Sequence, residues 1–458
     1  MKYYRQTISA LPLFVRRSAF AFVALLFVAG LAPQALLLRA QSLDRIERER
    51  AQTMLNVLKN ELKKNYYDPN FHGMDVDARF KAAEEKIKQA TSLNQAFGII
   101  AQAFLDLNDS HTTFSPPSRP VTVEYGWQMQ AIGDQCYVVA VKPGSDAAAK
   151  GVKPGDLILS VDGFKPTRKE LWKMEYYYYG LSPRPGMRLV LQSPGQQPRQ
   201  LDVAAKVVQG KRVLDLSGRG NSHMDINDII RKSEDAARLR RHRFQKFGGV
   251  IVWKMDSFGF LPEQADQIMN DEVRGNSALI LDLRGNPGGY VVTLERLVGH
   301  FFDRELKIAD LKGRKEMKPM VAKKRGGKPY DGKVVVLIDS KSSSAAELFA
   351  RLMQLEKRGV VIGDRSSGFV MQSMYHNQEM GTETVIWYGA SITNADVIMS
   401  DGKSLEHTGV TPDEVIIPTA EDLAANRDPV LARAAEILGI KLDPAKAGAM
   451  FPIEWRNL

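Results

Sequence analysis

The chain has 458 residues, 44% hydrophobic and 25% charged, an ordinary globular balance that excludes a disordered or collagen-like chain. Its single cysteine, Cys136, excludes an intramolecular disulfide framework and any cysteine-based structural zinc site. Of the net charge of +10, five charges (Lys2, Arg5, Arg16, Arg17, Arg39) fall in a stretch without acids, which leaves +5 on the remainder, too mild an excess to point to nucleic acid.

The first 17 residues carry four of those charges, and an apolar run, 18–32, follows before Pro33. Basic flank, apolar core and small residues behind it predict a signal peptide or signal anchor over 1–40. If the apolar run extends to Leu38 it serves as a membrane tether over 18–38. Either way the rest of the chain is expected to be exported, periplasmic or secreted. Residues 43–106 carry apolar positions at helical spacing, broken by turn residues at 65–70, and a second helix is expected over 76–107, ending at 108–114, with Pro116 and Pro117 forbidding further helix. This sets a helical N-terminal region at 41–117. From 118 to 207 the texture changes to short β-like runs with Gly/Pro punctuation. Strands are expected at 137–141 and 157–161, and a short helix at 147–150. Residues 210–247 are polar, with a basic cluster of Arg238, Arg240, Arg241, Arg243 and Lys246 that reads as a solvated helix face or as a contact for an acidic partner or headgroups. From 249 onward strands (250–253, 278–283, 334–338, 360–363) alternate with helices (263–273, 290–301, 345–358), the layout of an α/β core with crossovers. The Lys/Arg-rich stretch 312–328 is expected to be an exposed loop. The core is set at 208–440 and a C-terminal tail at 441–458.

Three stretches could carry chemistry. Asp282-Leu-Arg-Gly-Asn-Pro-Gly-Gly289 follows a buried strand, where two glycines let backbone N–H groups face an oxyanion; a plain tight turn is the bland reading. Asp339-Ser-Lys-Ser-Ser-Ser344-Ala-Ala-Glu347 places hydroxyls at a helix N-terminus, near free amides and the positive end of the dipole; N-capping by Ser342 or Ser343, with Glu347 as partner, is the alternative. Asp109-Ser-His111 is the third, His111 being one of seven histidines with His72, His223, His242, His300, His376 and His407.

Together these stretches resemble the S41 peptidases, the family of C-terminal processing and tricorn-type core proteases. Residues 281–289 match its D-L-R-x-N-P-G-G, 342–347 its S-x-S-A-[SA]-E, and 401–413 its D-G-x-x-x-E-x-x-G-V-x-P-D; the resemblance covers about 43–440. It implies a mixed α/β fold: a helical N-terminal region, an inserted β-rich PDZ-like domain and a crotonase-like or ClpP-like protease core. The PDZ-like signature spans 141–163, and the loop that would take a peptide's terminal carboxylate is Tyr125, Gly126, Trp127 and Gln128. The sequence departs from the family's Ser–Lys dyad, because Phe369 stands where the lysine is expected and a phenyl ring takes no proton. The tricorn-like branch implies another set: Ser344 as nucleophile, His111 as base and Glu406 to orient it, with the amides of Ala345 and of Gly288 or Gly289 as oxyanion donors. Ser343, His376 and His407 are the fallbacks. The expected activity is that of a serine endopeptidase without metal or cofactor, acting on proteins or peptides with free C-termini. A non-catalytic peptide binder is the runner-up. A metallohydrolase lacks its His-Glu-x-x-His.

Overall fold

The computed structural model describes residues 43–119, 121–209, 242–381 and 385–455, all within one unit, Gln41–Leu458. The expected signal segment and Arg238, Arg240 and Arg241 of the basic cluster lie outside them. Among the described residues no helix is long and apolar enough to cross a membrane.

The chain opens with α1 (Arg45–Asn65), α2 (Val76–Lys88) and α3 (Leu93–Leu105). The single helix expected over 76–107 is two. Ser92 interrupts it, its hydroxyl capping the amide of Gln95, while the Gln95 side chain reaches back to the amide of Thr91. The three helices bury Leu55, Leu58, Phe80, Phe97 and Phe104 in a core of their own. Past α3, Asn108 takes a left-handed turn (φ 54°), and β1 (Thr113–Ser115) carries the chain into a sheet of the core.

The β-rich middle holds β2 (Val121–Glu124), β3 (Trp127–Ile132), β4 (Gln135–Val141), α4 (Asp146–Ala149), β5 (Leu157–Val161), α5 (Leu171–Glu175), β6 (Gly186–Gln192), β7 (Arg199–Ala204) and β8 (Lys206–Gln209). Strands β3 to β7 form an antiparallel sheet in chain order, so β3 is an edge, and β2 pairs with β8 to close the module at its root.

The core begins with β9 (Arg243–Phe247), so Arg243 and Lys246 sit on a strand rather than a helix face. It continues through β10 (Val250–Lys254), α6 (Pro262–Ile268), β11 (Ala278–Asp282), α7 (Val291–Val298), β12 (Leu306–Lys312), β13 (Met320–Ala322), β14 (Lys333–Ile338), α8 (Ala345–Leu355) and β15 (Val360–Gly363). The stretch 312–328 is therefore not all loop: Met320 and Ala322 are buried on β13. Two long strands, β16 (Met371–Met380) and β17 (Ile386–Met399), form a hairpin-like pair, and β18 (Glu414–Val415), α9 (Ala420–Ala424), α10 (Pro429–Ile437) and α11 (Pro444–Ala449) complete the chain. The segment set apart as a tail carries α11, whose Ala447 is buried against the core.

One sheet has the order β18-β15-β14-β11-β10-β9, parallel except at β9. Its central strands are buried along their length, as the unbroken apolar runs of β11 and β14 require. The other sheet joins β1, β17, β12 and β13, with β16 on β17. The turns after the C-terminal ends of β11 and β14 meet each other through the bond from the Ser343 amide to Asn286 O, and the second meets the segment before β16 through the bond from the Ser344 amide to Phe369 O. Mixed helix and sheet is the architecture that the sequence implied.

Candidate active site

Asp282, the last residue of β11, is buried and bound by Arg284 and Lys254, which hold its carboxyl well below the usual range. Arg284 also forks onto Asp428 at the start of α10, so the turn after β11 is anchored on both sides. Within that turn Asn286 is fully buried; its side chain donates to Met255 O (2.9 Å) and accepts from Gly288 N (2.8 Å). This corrects one expected role: the Gly288 amide is already bonded and does not face an oxyanion. Gly288 serves by its size. At φ 89°, a Cβ there would lie 2.7 Å from the Cβ of Ser344 and 3.0 Å from the amide of Ala345. Among the described residues no hydrogen bond engages the amides of Gly289 or Ala345.

Ser344 caps α8 with φ 54° and ψ −119°, a conformation that L residues rarely adopt. It is held by its neighbours' bonds: its amide donates to Phe369 O and to Glu347 Oε2. Its hydroxyl makes no hydrogen bond among the described residues. The other two serines are committed elsewhere. Ser342 is buried and donates to Leu283 O, and Ser343 takes a bond from Ser367 Oγ. The fallback nucleophile is thus engaged.

The segment before β1 presents the base candidate. Asp109 is buried and accepts from the amides of His111 and Thr112 and from the hydroxyls of Thr112 and Thr393, which locks the turn onto β17. Glu406 is brought to the same place. Its Oε1 takes the amide of Ser110 (2.9 Å), and its Oε2 takes the hydroxyl of Ser110 (2.9 Å) and the amide of Val370 (2.9 Å). Glu406 does not touch His111 directly. Ser110 Oγ stands between them, 2.7 Å from His111 Nδ1. Because Ser110 gives its proton to Glu406, Nδ1 of His111 must be the donor to Ser110 Oγ, which leaves Nε2 with a free lone pair. Burial lowers the His111 pKa and Asp109 partly opposes this, so the ring is neutral at neutral pH. Burial raises the Glu406 carboxyl, against the hydrogen bonds it receives.

The chain from Ser344 to Phe369, Val370, Glu406, Ser110 and His111 is continuous in hydrogen bonds and sequence neighbours, so the three expected residues converge on one loop, 366–370. Ser110 and Asp109 carry this convergence, and the sequence reading gave neither a role; the Asp-Ser-His triple was the available signal. The fallback histidines are placed otherwise. His376 pairs with Glu61. His407 lies 3.7 Å from Glu406 but bonds Asn108 O through Nε2, so that nitrogen is a donor and not a base. Phe369 lays its ring edge-on to Trp172 of α5 (5.4 Å between centroids).

Of the expected peptide loop, Tyr125 and Trp127 bury their side chains in the module's own core, and Gly126 (φ 73°) packs against Ser145. Only their backbone, and the edge of β3, is available to a peptide. The edge strand sits on the core: Gln130 donates to Asp339 (2.7 Å), the Ser340 hydroxyl to Ala131 O, and the Gly133 amide to Asp364. A cavity of about 770 Å³ runs between Gln128 and Gln130 of β3 and the turn residues Gly285, Asp339 and Lys341.

Comparison with known proteins finds proteases among the similar chains. The chain is 24% identical over 306 residues to a tail-specific protease of Haemophilus influenzae (63% of this chain, 41% of that protein). It is 24% identical over 301 residues to a probable CtpA-like serine protease of Staphylococcus saprophyticus (64% and 53%). It spans about half the length of these relatives. The structure of mature CPAF superimposes with a TM-score of 0.60 at 16% identity, covering 83% of this chain and 94% of that one, a likeness of fold. The sequence model of peptidase family S41 matches residues 249–416, the stretch that holds Asp282, Ser344 and Glu406. Over that stretch the chain is similar to peptidase family S41.

Proposed function

We propose that the chain is a serine-type endopeptidase. The observation that carries the reading is the Glu406–Ser110–His111 relay, joined through Val370 and Phe369 to a strained Ser344 whose hydroxyl makes no hydrogen bond among the described residues. Neutral His111 takes the Ser344 proton as Oγ attacks the substrate carbonyl. The developing oxyanion is met by the amides of Gly289 and Ala345. The imidazolium donates through Nδ1 to Ser110, whose own proton points to the Glu406 carboxylate. The proton then passes from Nε2 to the leaving amine, and water repeats the cycle on the acyl-enzyme.

Residues 118–207 are proposed to act as a PDZ-like module between the helical region 41–117 and the protease core 208–440. A substrate strand with a free C-terminus would add to the edge of β3, its carboxylate against the backbone of residues 125–128. A cavity lies along that edge, between Gln128 and Gln130 and the turn at Gly285, which leaves room there for an added strand. The basic and apolar N-terminus supports export, to the periplasm or outside the cell, cleaved or tethered.

The test is hydrolysis of unfolded casein by residues 41–458, with Ser344→Ala and His111→Ala. Loss in both variants is expected. Activity that survives Ser344→Ala overturns the reading. An inert wild type that binds C-terminal peptides would favour a non-catalytic binder, the alternative raised by Phe369.

A further inference from the structure

Glu347, at the third position of α8, has no solvent exposure and no part in the proposed proton transfers. A helix-capping glutamate is ordinarily at the surface and satisfies one amide. This one accepts from five groups: Ser366 Oγ and the amide of Gly368 on Oε1, and Ser367 Oγ and the amides of Phe369 and Ser344 on Oε2. Four of the five donors belong to 366–369, and the fifth is the nucleophile's own backbone. The next residue, Val370, holds Glu406.

We propose that Glu347 is a positioning residue that sets the nucleophile and the general base relative to each other. One carboxylate fixes both the strained backbone of Ser344 and the loop whose next amide anchors Glu406, and through Ser110 the ring of His111. This rests on the reading of Ser344 and His111 above and adds to it the device that brings them into register. The strain at Ser344 persists because its surroundings over-determine it. The amide bond to Phe369 O and the bond to Glu347 tie Ser344 to two points of one loop. A glutamine of the same shape cannot reproduce this, because its NH₂ faces at least one backbone N–H in place of an acceptor.

The test uses Glu347→Gln and, as a milder change, Ser367→Ala, which removes one donor, in the chain 41–458. Three quantities are read: kcat and KM on casein-derived peptide, the rate of Ser344 labelling by a fluorophosphonate, and amide exchange at 344 and 366–370. For Glu347→Gln, kcat and labelling are expected to fall by about tenfold or more with KM within about twofold, and these amides to exchange faster. Ser367→Ala is expected to move the same quantities in the same direction by less. Unchanged labelling and exchange in Glu347→Gln overturn the proposal. If Glu347→Gln does not fold, Ser367→Ala decides: no change in exchange or kcat overturns it too. A wild type that neither cleaves nor labels sinks the peptidase reading instead, and faster exchange in Glu347→Gln would still establish the anchoring.

Discussion

The relay through Ser110 can be broken with little disturbance to the fold. In Ser110→Ala the amide of residue 110 still reaches Glu406 Oε1, and Asp109 still holds the turn. What is lost is the hydroxyl between Glu406 Oε2 (2.9 Å) and His111 Nδ1 (2.7 Å). In the proposed mechanism that hydroxyl passes the pull of a carboxylate to the imidazolium that forms in the transition state. A hydrogen bond to a charged group contributes about 1.5–3 kcal/mol, which at 1.36 kcal/mol per decade is a fall of about 10- to 150-fold in kcat. The substrate does not touch this group, so KM should hold. Without the acceptor on Nδ1 the ring is also free to take the wrong tautomer, which acts in the same direction. Steady-state hydrolysis of a fluorogenic casein peptide measures both constants, and thermal melting checks the fold. Because Ser110 acts through Glu406, Ser110→Ala/Glu406→Ala should be little worse than Glu406→Ala alone. A kcat within about twofold of wild type, or fully additive losses, would refute a relay through Ser110.

Two further outcomes follow from the same geometry. Gly288→Ala should abolish labelling of Ser344 by a fluorophosphonate, because its Cβ would meet Ser344 Cβ at 2.7 Å and Ser343 O at 2.8 Å from a backbone at φ 89°; retained labelling would show that the turn can shift. Burial raises the Glu347 carboxyl to about 7, against the hydrogen bonds it accepts. A carboxyl whose folded pKa lies above its unfolded value of 4.5 contributes stability below the unfolded pKa and loses it as pH rises through the folded one. Urea unfolding should therefore show up to about 3 kcal/mol of stability lost between pH 4.5 and 7 from this group, absent in Glu347→Gln. Equal slopes in the two proteins would contradict it.

The parallel sheet was legible because its strands are buried on both faces and read as plain apolar runs: 278–283 was expected where β11 is Ala278–Asp282, and 334–338 where β14 is Lys333–Ile338. The turn glycines and Ser344 were legible from local chemistry. Strands β16 and β17 were not. Met371–Met380 is an edge strand, half polar and shallowly buried, and Ile386–Met399 is buried on both faces in places, so neither alternates. The break at Ser92 was hidden by helical periodicity on both sides of it. Ser110 was hidden for a different reason. A serine beside a histidine has no meaning until a carboxylate from elsewhere is set against it, and single-sequence spacing does not report which carboxylate. The same holds for Gly288, whose duty as a spacer appears only once Ser344 is packed on it.

The bond from Ser110 to Glu406 spans 296 residues, and it bears on how the protein comes into being. A ribosome delivers the base hundreds of residues before the carboxylate that orients it. Until residue 406 has emerged and β17 has laid itself along β1, His111 is a ring on an unpaired loop and Ser344 has no partner. Closing so wide a loop costs little more entropy than closing a narrow one, since the penalty grows only with the logarithm of length. The delay in assembly is nonetheless absolute. On the proposed mechanism a nascent or half-folded chain would have no working cleavage centre and would not digest its siblings, and a single cut between residues 111 and 406 would separate the proposed base from its carboxylate along the chain, leaving only packing to hold them together.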